Sequence, residues 1–112
     1  MSDPSKNDEF IVGLELNGYS AFFEQDDRTG YLYISCEGKV LFDLHIYNRD
    51  SNPVVKEEDV DVVWSKDGSR CGVKIFGKLH GVIGINGDMH RPEYTMLGDG
   101  ITKPEWLKGF DI

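Results

Sequence analysis

Apolar and polar residues alternate with a period of two over one short segment after another. Only a half-buried β-strand places successive side chains on opposite faces in that way. "EFIVGLEL" sets Phe10, Val12, Leu14 and Leu16 on one face, with Glu9, Ile11, Gly13 and Glu15 on the other. "SAFFE" is a short second strand, and "QDDRTG" is a turn. "YLYISC" turns Leu32, Ile34 and Cys36 inward, with Tyr31, Tyr33 and Ser35 outward. "VLFDLHIYN" turns Val40, Phe42, Leu44 and Ile46 inward, with Asp43, His45 and Tyr47 outward. Strands this short, with turn signals about every 8–12 residues, predict an all-β fold. The expected architecture is an antiparallel sandwich or half-open barrel of seven to eight strands.

Turn chemistry supplies the register. Asp67-Gly68 is a two-residue hairpin signal. It pairs Trp64 with Cys71, Val62 with Val73 and Asp61 with Lys74, so apolar meets apolar and acid meets base. Trp64, Phe22 and Phe42 are core by alternation. The faces of the third and fourth strands match only if Tyr33 pairs with Asp43 and Tyr31 with His45. An odd loop is then required, and Glu37-Gly38-Lys39 is expected to form a three-residue turn with a bulge. "FGKLHGVIGINGD" is ambiguous in register. A turn at Gly77-Lys78 would put Ile75 opposite His80, while Gly81, Gly84 and Gly87 leave gaps that other backbone or rings can fill.

The tail "GITKPEWLKGFDI" changes character. Thr102 and Glu105 have capping-box spacing, Pro104 suits a first helical turn and Gly109 a stop, so one short C-terminal helix is expected, with Trp106 and Leu107 packed on the β core. Residues 1–8 are expected to be disordered and residues 9–112 to form a single β domain. A chain of 112 residues suits one domain and can bury a core without metal or disulfide staples. No apolar run is long enough to span a membrane, and "MSDPSKNDEF" has neither the basic nor the apolar region of a signal peptide, so a cytoplasmic location is expected. Cys36 and Cys71 fall at apolar strand positions and are expected to be buried, reduced thiols.

Charge is unevenly distributed. The net charge is −8. Residues 1–27 carry seven acids against one base, and residues 57–61 add four acids with no base. Residues 28–56 and 62–112 are each nearly neutral at +1. The acidity therefore sits in two patches, which disfavours nucleic acid and anionic membranes as partners. Four like charges in "EEDVD" repel one another, so either they are a solvated loop or something positive docks there. The candidate partner-binding residues are Glu24, Asp26, Asp27, Glu57, Glu58, Asp59 and Asp61, with Asp61 compromised by Lys74. Tyr31, Tyr33, Asp43, His45 and Tyr47 form a candidate secondary face. That face is either the inside of a second layer or an exposed tyrosine platform of the kind enriched at interfaces.

Catalytic chemistry has no comparable signature. Three histidines are present. His45 reads as a structural hydrogen bonder, and Asp88 with His90 makes only two ligands. Asp26 and Asp27 lack the ligand spacing of a calcium loop. No nucleophile elbow, phosphate loop or dinucleotide fingerprint occurs. No enzyme, no cofactor and no metal are expected.

The stretches "FFEQDDRTGYLYI", "LFDLHIYN" and "VVWSKDGSRCGVKIFGKLHGVI" resemble a family of small bacterial proteins known only as a domain of unknown function, over roughly Ser20 to Trp106. The resemblance implies a bacterial origin and an all-β fold, and no activity. In size, acidity and lack of catalytic residues the chain also resembles the immunity proteins of bacterial toxin systems, including contact-dependent growth inhibition. That likeness implies an acidic surface that occludes a basic toxin domain, such as a nuclease. The alternatives are a non-catalytic domain that is acidic for solubility only, and a small enzyme or ligand binder using Tyr31, Asp43 and His45.

Overall fold

The computed structural model describes residues 9–49, 55–84, 101 and 107–110, together with the backbone of 93–94. Seven strands of five residues or more, and a two-residue eighth, form two four-stranded antiparallel sheets. In the first sheet β1 (Phe10–Leu16), β2 (Tyr19–Gln25), β3 (Thr29–Cys36) and β4 (Lys39–Asn48) lie in sequence order. In the second, β5 (Val60–Trp64), β6 (Arg70–Ile75), β7 (Lys78–Gly84) and β8 (Glu93–Tyr94) do the same. A 3₁₀ turn, Glu57–Asp59, leads into β5. Among the described strands the two sheets stay separate and do not close into a barrel.

The inner faces share one core. Phe23, Leu32, Ile34 and Ile46 of the first sheet meet Cys71, Val73, Ile75 and Ile83 of the second, all fully buried. Alternation on β2 selects Ala21, Phe23 and Gln25 for this face, so Phe22 points outward. That corrects its assignment to the core. Trp64 is half-buried at the margin, where its Nε1 donates to the Leu14 carbonyl at 2.9 Å and bridges the edge strands β5 and β1. The inner row of β1 fades outward, from buried Phe10 to Leu14 at 51% exposure.

Every β5–β6 pair follows the register that Asp67-Gly68 implies, including Asp61 with Lys74, Val62 with Val73 and Trp64 with Cys71. Asp67 organises the turn by accepting from the Ser69 amide at 3.0 Å and from the hydroxyls of Ser69 and Ser65. The Ser69 amide and hydroxyl, then the Ser65 hydroxyl, hold its carboxyl down at about 2.

Among the described strands three β-bulges break the alternation elsewhere. On β3–β4, Tyr31 pairs with His45 and Tyr33 with Asp43 as expected. The turn itself is the two-residue Glu37-Gly38, both at positive φ, and the extra residue sits at Leu41 within β4. Val40 consequently faces outward, 53% exposed, where strict alternation placed it inward. A second bulge at Ile46 turns Tyr47 into the core at 1% exposure. Tyr47 is therefore not part of the outer tyrosine face. The inserted residue shifts the two-residue period by one, which swaps faces beyond it. The third bulge is His80. The β6–β7 turn is Phe76-Gly77, so Ile75 pairs with Lys78 and Lys74 with Leu79. The turn thus lies one residue before Gly77-Lys78, which moves the partner of Ile75 by two, from His80 to Lys78, and His80 is the buried bulge residue with its polar atoms satisfied. Gly87 lies outside the described residues.

The outer face of the second sheet is covered by the C-terminal segment. Leu79 and Val82 form a second cluster with Ile101 and Phe110, against which Leu107 and Val63 pack. The Ile101 amide donates to the Leu79 carbonyl at 2.7 Å, and the Lys66 amide to the Gly109 carbonyl at 2.8 Å. Arg70 donates to the Lys108 carbonyl and lies 5.2 Å from the Phe110 ring centroid. No α-helix is found among the described elements. Residues 102–106, which hold most of the expected C-terminal helix and Trp106, lie outside the described residues; Leu107 is helical, and the turn Lys108-Gly109 follows it, closed by the Phe110 amide on the Leu107 carbonyl at 3.2 Å. The expected disordered stretch 1–8 also lies outside the described residues.

Both cysteines are free, but they differ in burial. Burial pushes the Cys71 thiol up to about 12. Cys36, at the β3 end next to the turn, is half-buried, which corrects the expectation that both are fully enclosed. In native protein one thiol, Cys36, should react with an aromatic disulfide reagent while Cys71 stays silent until denaturant is added. Equal native labelling rates for wild type and Cys36→Ser would contradict this.

Candidate functional site

Backbone pairing decides where the acids go. The Asn17-Gly18 turn, both residues at positive φ, sets Phe10 opposite Gln25 and Ile11 opposite Glu24. The N-terminal end of β1 thus lies beside the β2–β3 turn. Two depressions open there. One is lined by Glu9, Phe10, Ile11, Glu24, Gln25 and Asp26. The other, an open cleft of about 650 Å³, is lined by Glu9, Phe10, Val12, Lys56, Glu57, Glu58, Val60 and Asp61. Glu9 and Phe10 border both, so the two acidic segments converge on one end of the molecule.

A buried hydrogen-bond chain ties them together. The Tyr47 hydroxyl donates to Gln25 Oε1, and Gln25 Nε2 donates to the Val55 carbonyl at 3.0 Å. Gln25 stands between Glu24 and Asp26, and Val55 two residues before Glu57. Burial raises the Tyr47 hydroxyl above its usual range, so it remains a donor.

The seven candidate acids divide by what else they do. Glu57, Glu58 and Asp61 are exposed around the cleft. Asp59 is spent on local structure: its Oδ2 accepts from the Lys56 amide at 2.9 Å and its carbonyl accepts from Phe76 at 2.9 Å. Asp26 is likewise a turn residue, accepting from the Arg28 and Thr29 amides at 2.8 and 2.7 Å. Partial desolvation works against its ionisation, but these amides, the Thr29 hydroxyl and the Arg49 charge bring its carboxyl below the ordinary range. Asp27 borders a different depression with Arg28, Thr29 and Asn48 and does not join the cleft. Glu24 is half-buried and faces Tyr31 across the strands.

The secondary face keeps Tyr31, Tyr33, Asp43 and His45, loses Tyr47 and gains Phe22. Its rings are half-buried and belong to neither hydrophobic cluster. His45 Nε2 lies 3.1 Å from the Tyr47 carbonyl and 3.0 Å from Asn48 Oδ1, two acceptors to which an Nε2–H can donate. Among the described residues no three metal-ligating side chains gather into a site. No helix there is long and apolar enough to cross a membrane.

Sequence reasoning missed Glu9, Phe10 and Gln25. The signal was Asn17-Gly18: a type I′ turn between alternating segments sets the β1–β2 register and with it the position of Glu9. The family described as "Uncharacterized protein conserved in bacteria (DUF2251)" matches residues 7–89. Among curated proteins and among solved structures nothing matches the chain significantly.

Proposed function

The chain belongs to an uncharacterised family of proteins conserved in bacteria, and from that premise we propose that it is a non-catalytic binding protein whose acidic end docks on a basic protein. The convergence of the two acidic segments on Glu9, tied beneath by Gln25 and Val55, carries this reading. Carboxylates that merely aid solubility need no common location. Here Glu9, Glu57, Glu58 and Asp61 surround a cleft whose margin includes Phe10 and Val12, and a partner's basic side chains can approach carboxylates from several sides there. Such a surface steers association and fixes orientation.

The sharper form of the proposal is a cytoplasmic immunity protein that occludes the active site of a toxin. A nuclease is the partner class whose chemistry fits, because a phosphate-binding site must be positive and an acidic surface can fill it. Asp59 is excluded from the docking set because it caps the 3₁₀ turn, so the informative variant is Glu9→Gln/Glu57→Gln/Glu58→Gln. Its association with a basic partner captured from the source bacterium should be about tenfold slower than wild type at low ionic strength, with the gap closing as salt rises. A folded variant with an unchanged rate and salt slope would show that the acids serve solubility only. Protection of cells expressing the captured partner tests the toxin-neutralising step separately.

A further inference from the structure

The outer face of the first sheet carries a row of stacked rings. Phe22 and Tyr33 lie 4.9 Å apart at 18°, Tyr33 and Tyr31 5.9 Å apart at 23°, and Tyr31 and His45 4.9 Å apart at 25°. Cross-strand pairing builds the row, with Phe22 opposite Tyr33 and Tyr31 opposite His45. The outward positions of β1 to β3, and of β4 between its two bulges, hold three carboxylates, Glu15, Glu24 and Asp43, and no lysine or arginine. Partial desolvation, then Glu24 and Asp43, push the Tyr33 hydroxyl above its usual range.

Stacking decides what such a face can bind. The rings occupy one another's faces, so they turn edges and hydroxyls outward. A sugar needs an open ring face and finds little here. The side of Phe22 turned from Tyr33 borders Gly13, which has no side chain to cover it, and Gly13 is flanked along β1 by exposed Ile11 and Glu15. A flat cation with several N–H donors matches both features. It can stack in the glycine gap between Glu15 and Glu24, or fork onto a carboxylate and a tyrosine oxygen. An ammonium group has the charge but neither the plane nor the fork.

We propose that this face receives arginine side chains from an extended basic segment of the partner, one guanidinium at Gly13 and Phe22 and others along Tyr31 and Tyr33 toward Asp43. The inference rests on the reading that the partner is a basic protein, and adds where and by which residue type it is held. Glu24 joins the two surfaces, because it borders the acidic depression and faces Tyr31.

Hexa-arginine and hexalysine peptides, titrated into isotope-labelled protein at one ionic strength, test it. Hexa-arginine should shift the amide signals of Gly13, Phe22, Tyr31 and Tyr33 and bind about fivefold more tightly than hexalysine. Tyr33→Phe/Asp43→Asn, which keeps the rings and leaves the Gly13 and Phe22 gap intact, should lower that preference and weaken the shifts at Tyr31 and Tyr33 while those at Gly13 and Phe22 persist. Equal affinity for the two peptides, or shifts confined to Glu9, Glu57 and Glu58, would overturn the inference while leaving the acidic docking surface standing. Absence of any shift with either peptide would count against both.

Discussion

Truncating Phe23 to alanine should cost about 3–5 kcal/mol, the largest loss of any single core substitution in this protein. Phe23 is fully buried at the centre of the shared core. Its ring lies 6.1 Å from Phe10 and 5.8 Å from Tyr47. Gly30 on β3 is the position that admits these rings, since a Cβ there would stand 2.5 Å from Tyr47 and 2.7 Å from Phe23. The site is closed by β-strands on both sides, so it cannot collapse around a cavity. Alternation made Trp64 the obvious anchor, but Trp64 is half-buried at the sheet margin, and its truncation should cost less than that of Phe23. A domain of this size has only about 5–15 kcal/mol in total, so Phe23→Ala should shift a urea midpoint severely. A loss under about 1 kcal/mol would show that Phe10 and Tyr47 refill the space.

Gln25→Leu should have the second-largest effect and the clearest link to function. Leucine keeps the bulk and removes both polar atoms, so the Tyr47 hydroxyl and the Val55 carbonyl lose their Gln25 partner in the interior. An abandoned buried group costs about 1–3 kcal/mol, so the pair should cost about 2–6 kcal/mol by urea titration. The same change unties the 55–59 segment from the β2–β3 turn, so association with a basic partner should slow although no acidic residue has been altered. Wild-type stability in the variant would mean that other groups satisfy Tyr47 and Val55, and that Gln25 does not hold the two acidic segments together.

The acidic site was only half legible. The crowding of Glu57, Glu58, Asp59 and Asp61 is visible in the chain, but their division of labour is not. Asp59 and Asp26 look like free surface acids and are hydrogen-bonded turn residues. Glu9 looks like the fringe of a strand and stands between the two depressions. Reading Asn17-Gly18 as a hairpin turn would have recovered Glu9. Nothing local would have recovered Gln25, whose partners are 22 and 30 residues away in sequence.

Local sequence determined that this chain forms strands, where most of them turn, and how β5 pairs with β6. Those properties depend on neighbours: a period of two along the backbone, and dipeptides whose φ values a hairpin demands. Only the tertiary structure decided the faces beyond each bulge. Leu41, Ile46 and His80 carry no local mark of being extra residues. Each shows itself only in the pairing with the opposing strand, which skips it and shifts the period by one. That shift takes Tyr47 from the outer face into the core, where it reaches Gln25, and sends Leu79 to the layer sealed by Ile101 and Phe110. The convergence of acids on one end also needs the tertiary structure, because the packing of the two sheets on a common core brings the 57–61 segment beside Glu9 and Phe10.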